Sequence, residues 1–419
     1  MNVVVRKSML HGTVRAPPSK SHTHRALIAA LLSRGTSTIE GPLSCDDTLR
    51  TMGMCRSFGA KVTHGGDRLV VTGPATLETP ERIECGGSGT TLRIATAIAA
   101  LTPGPVTLDG DDTLRKRPLT DLTRALEALG AKCSSSGGCP PITVEGPMRG
   151  GTTSMSGSTS SQYVSALLFA CPCLDAPTRL CLTSPLVSRP YVEMTRTVLE
   201  RHQVSSSETD EGFHIPAPQR YRPADHVIEG DYSSAATLLA AGALAGDVRV
   251  TSLHRDSIQG DARIVGLLKH FGARIKHHDD TCHIRKGPLG ATVIDATHVP
   301  DLVPVCAAVA TQARGVTRIL NAGRLRHKES DRLETTAREL AEMGAHIDVT
   351  DDGMNVTGPT PLHGADIETH NDHRIAMAAA VAALVAEGDT ILHDAQCVEK
   401  SYPHVMRDLR TLGADIDEL

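Results

Sequence analysis

The sequence FGAKV at residues 58–62 recurs along the whole chain as LGAKC (129–133), FGARI (271–275), MGAHI (343–347) and LGADI (412–416). The glycines of these five copies follow one another at intervals of 71, 142, 72 and 69 residues. One copy is therefore missing near position 201, where LERHQV (199–204) keeps the polar pattern without Gly-Ala. Six units of about 70 residues fill the chain, and this length suits a small α/β subdomain.

The order of elements within a unit follows from hydrophobic periodicity. An amphipathic helix precedes each Gly-Ala, as in 331–343, and the glycine is its stop signal. A second helix in each unit is apolar on every side, as in 234–245, which predicts a buried helix. After four signatures a short strand runs into Gly-Pro, as at 73–74. We expect two similar α/β domains of three units each, with a cleft between them and a boundary near 223–231.

Short polar motifs come just before the buried helices. They are PSKSHTHR (18–25), CGGSGTTLR (85–93), GSTSSQ (157–162), EGDYSS (229–234), THVPD (297–301) and HNDHR (370–374). Each motif predicts a helix N-terminus, whose free backbone N–H groups and positive dipole end favour anions. Converging N-termini of this kind indicate an anion-binding cleft.

Composition excludes several classes of protein. Aromatic residues make up only 2% of the chain, and 43 basic against 48 acidic residues give a net charge of −5, which argues against a nucleic-acid partner. No apolar run reaches the ~20 residues of a membrane span, and the N-terminus lacks the apolar core of a signal peptide. We therefore expect a cytoplasmic protein with no membrane partner.

Basic residues concentrate in or beside the polar motifs. They are Lys20, Arg25, Arg93, Arg117, Lys328, Arg332, Arg374 and Lys400. So many cations in a chain of negative net charge predict a small ligand with several anionic groups rather than a polymer. His22 and His24 could form a metal pair, but no carboxylate or Cys partner has suitable spacing, so no metal site is predicted.

Ten motifs, in order, resemble those of the EPSP synthases, a branch of the enolpyruvyl transferase family. They include SKSHTHRAL (19–27), CGGSGTTLR (85–93), KRP (116–118), STSSQY (158–163), SRPY (188–191), EGDYSSA (229–235), HVPD (298–301), RLRHKESDR (324–332), NDHR (371–374) and VEKSYP (398–403). The resemblance implies an inside-out α/β barrel fold of six βαβαββ units. It places domains at 14–227 and at 1–13 with 228–419.

The resemblance also implies an activity. A member of this family transfers the enolpyruvyl group of phosphoenolpyruvate to the 5-hydroxyl of shikimate 3-phosphate, a step of the shikimate pathway of aromatic amino-acid biosynthesis. No cofactor is implied, a monomer is expected, and substrate binding is expected to close the domains. Addition of a hydroxyl to C2 of phosphoenolpyruvate needs a proton at C3 and a base for the hydroxyl, which two carboxylates, or a carboxylate and a lysine, can supply.

The family's site residues transfer onto matching positions of this chain. The catalytic residues are expected to be Asp301, Glu329 and Lys20. The shikimate 3-phosphate contacts are expected to be Lys20, Ser21, Arg25, Ser160, Ser161, Gln162, Ser188, Tyr191, Asp301 and Lys328. The phosphoenolpyruvate contacts are expected to be Lys20, Gly89, Arg117, Gln162, Arg332, Arg374 and Lys400.

Two positions depart from the family pattern. Gly87 stands where Asn is common, and Arg324 stands where some members place a substrate-binding Asn. Two other functions remain open at this point. A UDP-N-acetylglucosamine enolpyruvyl transferase has the same fold but typically a reactive Cys in a mobile loop, and KRPLTDL (116–122) has no Cys. A repeat scaffold that only binds anions would not need Asp301 and Glu329.

Overall fold

The computed structural model describes every residue from Met1 to Leu419. The chain divides into two units, after Pro17 and after Ile228. We call Pro18–Ile228 the N-terminal lobe, and Met1–Pro17 together with Glu229–Leu419 the C-terminal lobe. The boundary expected at residue 13 lies inside the strand Leu10–Arg15. The two units divide four residues later, after Pro17.

The first strands of the chain are β1 (Val3–Arg6) and β2 (Leu10–Arg15). The helices of the N-terminal lobe are α1 (Lys20–Leu32), α2 (Asp46–Ser57), α3 (Gly89–Ala99), α4 (Thr120–Ala128), α5 (Ser161–Ala170) and α6 (Arg189–Arg201). Its strands are β3 (Gly35–Glu40), β4 (Lys61–His64), β5 (Arg68–Gly73), β6 (Arg82–Glu84), β7 (Pro105–Asp109), β8 (Lys132–Ser136), β9 (Cys139–Glu145), β10 (Gly151–Met155), β11 (Thr178–Leu182), β12 (Ser207–Thr209), β13 (Gly212–Ile215) and β14 (His226–Val227). Short 3₁₀ helices cover Leu114–Lys116 and Cys171–Cys173.

The C-terminal lobe repeats this series of elements. Its helices are α7 (Tyr232–Ala245), α8 (Ile264–Phe271), α9 (Val303–Ala310), α10 (Arg332–Glu342), α11 (His373–Ala383) and α12 (Val405–Thr411). Its strands are β15 (Gly246–Thr251), β16 (Arg274–His278), β17 (Thr281–Arg285), β18 (Val293–Asp295), β19 (Gly315–Leu320), β20 (His346–Thr350), β21 (Gly353–Gly358), β22 (Asp366–Glu368), β23 (Asp389–His393) and β24 (Ile416–Glu418). Its 3₁₀ helices are Gly260–Arg263, Pro300–Leu302, Gly323–His327 and Ala395–Lys400.

Six four-stranded sheets confirm the six units. In the N-terminal lobe the strand orders are β14-β3-β5-β4, β6-β7-β9-β8 and β10-β11-β13-β12. In the C-terminal lobe they are β16-β17-β15-β2, β18-β19-β21-β20 and β22-β23-β1-β24. The second unit shows the βαβαββ order directly, as β6-α3-β7-α4-β8-β9. Each sheet stays open at both edges, so no single sheet closes into a barrel.

Three units take a strand from a distant part of the chain. Strand β14 pairs in parallel with β3 and supplies the first strand of the first unit. Strand β2 does the same for the fourth unit by pairing with β15. Strand β1 lies between β23 and β24, with Val3 opposite both Leu392 and Glu418. Residues near the start of the chain therefore complete two sheets of the C-terminal lobe.

The predicted apolar helices form the two cores. Helices α1, α3 and α5 belong to the core of the N-terminal lobe, and α7, α9 and α11 to that of the C-terminal lobe. Every residue of α7 except Ser233 is buried. A helix with no solvent face needs small side chains where other helices approach it, which accounts for the alanine-rich sequences. None of the helices combines the length and apolarity that a membrane span needs.

The Gly-Pro that follows several strands packs against the end of a buried helix. A Cβ atom added to Gly73 would lie 2.0 Å from the carbonyl oxygen of Ser33, which caps α1. The corresponding distances are 2.3 Å from Gly146 to Ala100 at the end of α3, and 2.6 Å from Gly358 to Thr311 at the end of α9. Only glycine allows this approach, which explains why the motif recurs.

The Gly-Ala signature ends the amphipathic helix in a left-handed conformation. Gly59, Gly130, Gly272, Gly344 and Gly413 have φ between 93° and 105°. In the unit that lacks the signature, Gln203 takes this place with φ 61°, and its N–H bonds to the Glu200 carbonyl as that of Gly59 bonds to Arg56. The substituted position is thus 203 rather than 201, because α6 runs to Arg201 before its cap.

We expect Gln203→Gly to stabilise the protein by about 1 kcal/mol, because a left-handed conformation costs an L-residue about 1–2 kcal/mol. The reciprocal change Gly130→Ala, at φ 100° with no atom within 4 Å of the added Cβ, is expected to destabilise it by a similar amount. Denaturant unfolding of both variants measures the two effects. A loss of stability in Gln203→Gly would contradict this account.

Candidate active site

Three serines cap the buried helices of the N-terminal lobe. The Ser19, Ser88 and Ser160 hydroxyls accept from the backbone N–H groups of His22 (3.4 Å), Thr91 (3.3 Å) and Gln162 (3.3 Å). The residues that follow these caps, which begin helices α1, α3 and α5, are Lys20, Gly89 and Ser161. All three are predicted site residues, and each stands at a helix end that favours an anion.

Arg25 joins α1 to α6. Its Nε donates to Thr195 Oγ1 at 2.9 Å, its Nη2 to the Tyr191 carbonyl at 2.8 Å, and its Nη1 to the Ser21 carbonyl at 2.9 Å. The guanidinium also lies 5.9 Å from the Tyr191 ring centroid. Burial lowers the pKa of Arg25 to about 10, which still leaves it charged at neutral pH. The structure thus brings together Ser21, Arg25 and Tyr191, beside Ser188, the left-handed cap residue directly before α6.

A second group in this lobe surrounds Gly89. A Cβ atom at Gly89 would lie 2.8 Å from Nη1 of Arg93 and 3.2 Å from Nη1 of Arg117, so two guanidinium groups approach this helix start. Arg93 donates to Gln162 Oε1, and Gln162 Nε2 donates to Thr90 Oγ1 at 3.0 Å. Two buried or half-buried cations beside a helix N-terminus form a strong anion site.

Lys20 and His24 extend from α1 toward α2. Lys20 Nζ forms an ion pair of 2.8 Å with Asp47, in the first turn of α2. His24 is fully buried and its Nδ1 lies 2.7 Å from Thr51 Oγ1. Burial lowers the pKa of His24 to about 3, so the ring is neutral. No group of three or more His, Cys, Asp or Glu side chains in the structure is arranged to hold a metal ion.

Arg332 is the centre of the ionic cluster in the C-terminal lobe. It is 2% exposed, and its Nε donates to Asp372 Oδ2 at 2.8 Å. Its Nη1 donates to Asp301 Oδ1 at 2.9 Å and its Nη2 to Glu329 Oε2 at 2.6 Å. Burial alone would lower the pKa of Arg332, but these three carboxylates outweigh it and raise the pKa. Arg332 thus fixes Asp301 and Glu329, the two predicted catalytic carboxylates, around one guanidinium.

Three more cations reach the same carboxylates. Lys328 Nζ lies 3.5 Å from Asp301 Oδ1, Arg374 Nη2 3.9 Å from Asp301 Oδ2, and Lys400 Nζ 3.6 Å from Glu329 Oε1. Burial opposes the charge of Asp301, yet Lys328, Arg374 and Arg332 hold its pKa well below the ordinary value. Asp301 is therefore ionised at neutral pH.

The charges of this cluster leave an excess of one cation. Lys328, Arg332, Arg374 and Lys400 face Asp301, Glu329 and Asp372. Asp301 remains 23% exposed and Glu329 11% exposed in their side chains. An anion that reached the cluster would meet uncompensated positive charge next to two accessible carboxylates.

Comparison with known proteins gives the family. The family model described as EPSP synthase (3-phosphoshikimate 1-carboxyvinyltransferase) matches residues 4–409. The chain is 43% identical over the full length of both proteins to the 3-phosphoshikimate 1-carboxyvinyltransferase of Methanocorpusculum labreanum. The chain belongs to the EPSP synthase family.

Other members and structures agree. The enzyme of the same name from Methanocaldococcus jannaschii is 40% identical, with 99% of each chain covered. The structure of EPSP synthase from Acinetobacter baumannii superposes with a TM-score of 0.83 at 23% identity over 100% of both chains. The enolpyruvyl transferase NikO from Streptomyces tendae gives 0.82 at 21% identity, over 99% of this chain and 98% of the other. These two likenesses confirm the enolpyruvyl transferase fold expected from the motifs.

The EPSP synthase resemblance named candidate site residues, but it did not name all of the carboxylates that pair with them. Asp301 and Glu329 lie in one cluster of the C-terminal lobe, whereas Lys20 belongs to the N-terminal lobe. Sequence reasoning gave no role to Asp47 or Asp372, which hold Lys20 and Arg332. An Asp directly before a helix is a capping signal, and that signal was available for Asp372 in NDHR (371–374).

The two departures from the family pattern differ in what the structure says of them. Arg324 turns its Nη2 to the carbonyls of Ala296 (3.0 Å) and Thr297 (2.7 Å), so it holds the chain just before Asp301. Gly87 lies in the turn between β6 and α3, and nothing in the structure explains the change from Asn.

We expect Asp372→Ala to lower the free energy of unfolding by about 3–5 kcal/mol, because it leaves the buried Arg332 short of one carboxylate. Asp417→Ala removes a carboxylate from the exposed pair with Arg6 and serves as the matched control, with a much smaller loss. Chemical denaturation measures both. Equal losses in the two variants would show that burial of the Arg332 pair does not matter.

Proposed function

We propose that this chain transfers the enolpyruvyl group of phosphoenolpyruvate to the 5-hydroxyl of shikimate 3-phosphate. The hydroxyl oxygen bonds to C2 of phosphoenolpyruvate while C3 gains a proton, which gives a tetrahedral intermediate. The C2–O bond to phosphate then breaks and C3 loses a proton. The products are 5-enolpyruvylshikimate 3-phosphate and inorganic phosphate, and the hydroxyl proton leaves with the phosphate or a base.

The ionic cluster around Arg332 is the observation that carries this proposal. The reaction needs two proton-transferring groups and cations for carboxylate and phosphate charge. Asp301 and Glu329 accept hydrogen bonds from the same guanidinium, at 2.9 Å and 2.6 Å, with Lys328, Arg374 and Lys400 beside them. A scaffold that only binds anions has no need for two accessible carboxylates at its centre.

Each substrate is assigned the residues that the family motifs gave for it. For shikimate 3-phosphate we assign Lys20, Ser21, Arg25, Ser160, Ser161, Gln162, Ser188, Tyr191, Asp301 and Lys328. For phosphoenolpyruvate we assign Lys20, Gly89, Arg117, Gln162, Arg332, Arg374 and Lys400. The close approach of Arg117 to Gly89 supports the second set, because both would meet one phosphate. Arg93, which holds Gln162, positions that amide.

Proton transfer is assigned to Asp301, Glu329 and Lys20. Asp301 is ionised and is assigned the role of base toward the hydroxyl; anionic substrate groups that draw its cations away would raise its pKa and strengthen it as a base. Glu329 is assigned the delivery of a proton to C3. Anionic substrate groups would draw Arg332 and Lys400 away from Glu329, which favours the transfer of a proton to this carboxylate. Lys20 is assigned to the departing phosphate.

Phosphate release tests the proposed reaction. The purified chain is expected to release phosphate from phosphoenolpyruvate when shikimate 3-phosphate is present, and not when UDP-N-acetylglucosamine replaces it. Mass spectrometry of the organic product identifies the acceptor. Release with UDP-N-acetylglucosamine alone would assign the chain to another enolpyruvyl transferase, and release with neither would leave it without this activity.

Glu329→Gln is expected to lower kcat by about 10²-fold or more, because the amide cannot supply a proton to C3. Substrate binding is expected to change little, since Gln keeps the size and still accepts from Arg332. The matched control is Glu334→Gln, in the first turn of α10, which changes an exposed carboxylate. Unchanged kcat in Glu329→Gln would remove this residue from the reaction.

A further inference from the structure

A fully buried carboxyl group lies behind the ionic cluster. Asp261 is 0% exposed and belongs to the 3₁₀ helix Gly260–Arg263. Gln259, two residues before Asp261, anchors this segment to the start of α7. Its Oε1 accepts from the Tyr232 N–H at 3.0 Å, and its Nε2 donates to the Gly230 carbonyl at 2.8 Å. The position of Asp261 is therefore set by bonds that do not involve its own side chain.

A short chain of contacts leads from Asp261 to a predicted catalytic carboxylate. The Ser233 hydroxyl donates to Asp261 Oδ2. The backbone carbonyl of the same Ser233 accepts from Arg374 Nη1 at 2.7 Å, and Nη2 of Arg374 lies 3.9 Å from Asp301 Oδ2. Asp261 therefore holds the residue that orients Arg374, and Arg374 in turn faces Asp301.

The groups around Asp261 come from four elements and act in opposite directions. Burial is the largest effect and raises its pKa, and the charge of Asp301 before α9 raises it further. The Ser233 bond and the charge of Arg374 in α11 lower it, and Asp231 at the cap of α7 raises it again. The thiol of Cys306 in α9 also faces the carboxyl group. The balance brings the pKa of Asp261 to about 7.

We propose that Asp261 is a positioning residue of the reaction: it holds Ser233 and thereby Arg374, and its charge adjusts how strongly Arg374 binds an anion and how strongly Asp301 attracts a proton. When Asp261 is protonated, the cluster keeps its excess of one cation. When Asp261 is ionised, that excess is cancelled and Asp301 becomes the stronger base. This inference rests on the proposed function and adds to it a residue that does not touch substrate.

Asp261→Asn tests the proposal, because it keeps the size of the side chain and an acceptor for Ser233 but cannot ionise. The substrate phosphates also titrate near neutral pH, so the quantity to compare is the ratio of wild type to variant. We expect the KM for phosphoenolpyruvate of wild type to rise relative to that of the variant by about threefold or more from pH 6 to pH 8. At pH 8 the variant is also expected to have the lower kcat.

The control for this experiment is Asp256→Asn, which makes the same charge change at an exposed position in the segment before Asp261. Its ratios are expected to stay constant with pH. A purely structural role for Asp261 would change kcat and KM by the same factors at every pH. Parallel pH profiles of wild type and Asp261→Asn would therefore overturn the proposal.

A second measurement needs no turnover, so it separates failure of this inference from failure of the proposed activity. Asp261 has a pKa of about 7 in the folded chain against an ordinary value of 3.8, so between these pH values the folded state holds a proton that the unfolded state has lost. This group's contribution to stability is thus full at low pH and is lost as the pH rises toward 7. As the pH rises from 3.8 to about 7, the unfolding free energy of wild type is therefore expected to fall relative to that of Asp261→Asn.

Ser233→Ala provides a further variant should Asp261→Asn fail to fold. Removal of the hydroxyl takes away a bond that lowers the pKa of Asp261, so the ionisation seen in the stability and KM profiles is expected to move to higher pH. An ionisation that stays at the same pH in Ser233→Ala would overturn the proposed link between Ser233 and Asp261.

Discussion

Burial of the alanine-rich helices is the constraint on which the other features depend. A helix with no solvent face keeps water away from its first N–H groups, so these groups need a capping side chain, a preceding helical turn or a bound ligand. In the N-terminal lobe the caps Ser19, Ser88 and Ser160 are neutral, and the positive end of each helix stays available to an anion. In the C-terminal lobe Asp231 and Asp372 are charged caps, and Asp372 also binds Arg332.

The main effect of the cluster around Arg332 is to orient its carboxylates rather than to stabilise the fold. Removing charges from water costs several kcal/mol per ion, and their attraction repays this only when the hydrogen bonds are complete. Arg332 meets that condition, since three carboxylates share its Nε and Nη donors. The side chains of Asp301 and Glu329 are thereby held in fixed orientations before any substrate arrives, which lowers the reorganisation that the reaction itself requires.

The repeat of about 70 residues was enough to predict six α/β units, because helix stops and buried helices depend on local sequence. Motif resemblance also named the residues of the Arg332 cluster other than Asp372. It could not find Asp261, whose importance depends on contacts between segments far apart in the chain. Nor did it find Gln203, because a left-handed residue other than glycine carries no signature in the sequence.

The pairing of β1 has a consequence for how the chain folds as it leaves the ribosome. Val3 lies opposite Leu392 and Glu418, so β1 cannot take its place between β23 and β24 until synthesis has passed residue 418. The segment 18–228 holds all three of its sheets within itself and can fold while synthesis continues. Until then the backbone N–H and C=O groups of the apolar segment Val3–Arg6 have no strand to pair with. Such a segment can pair with another chain, which favours aggregation.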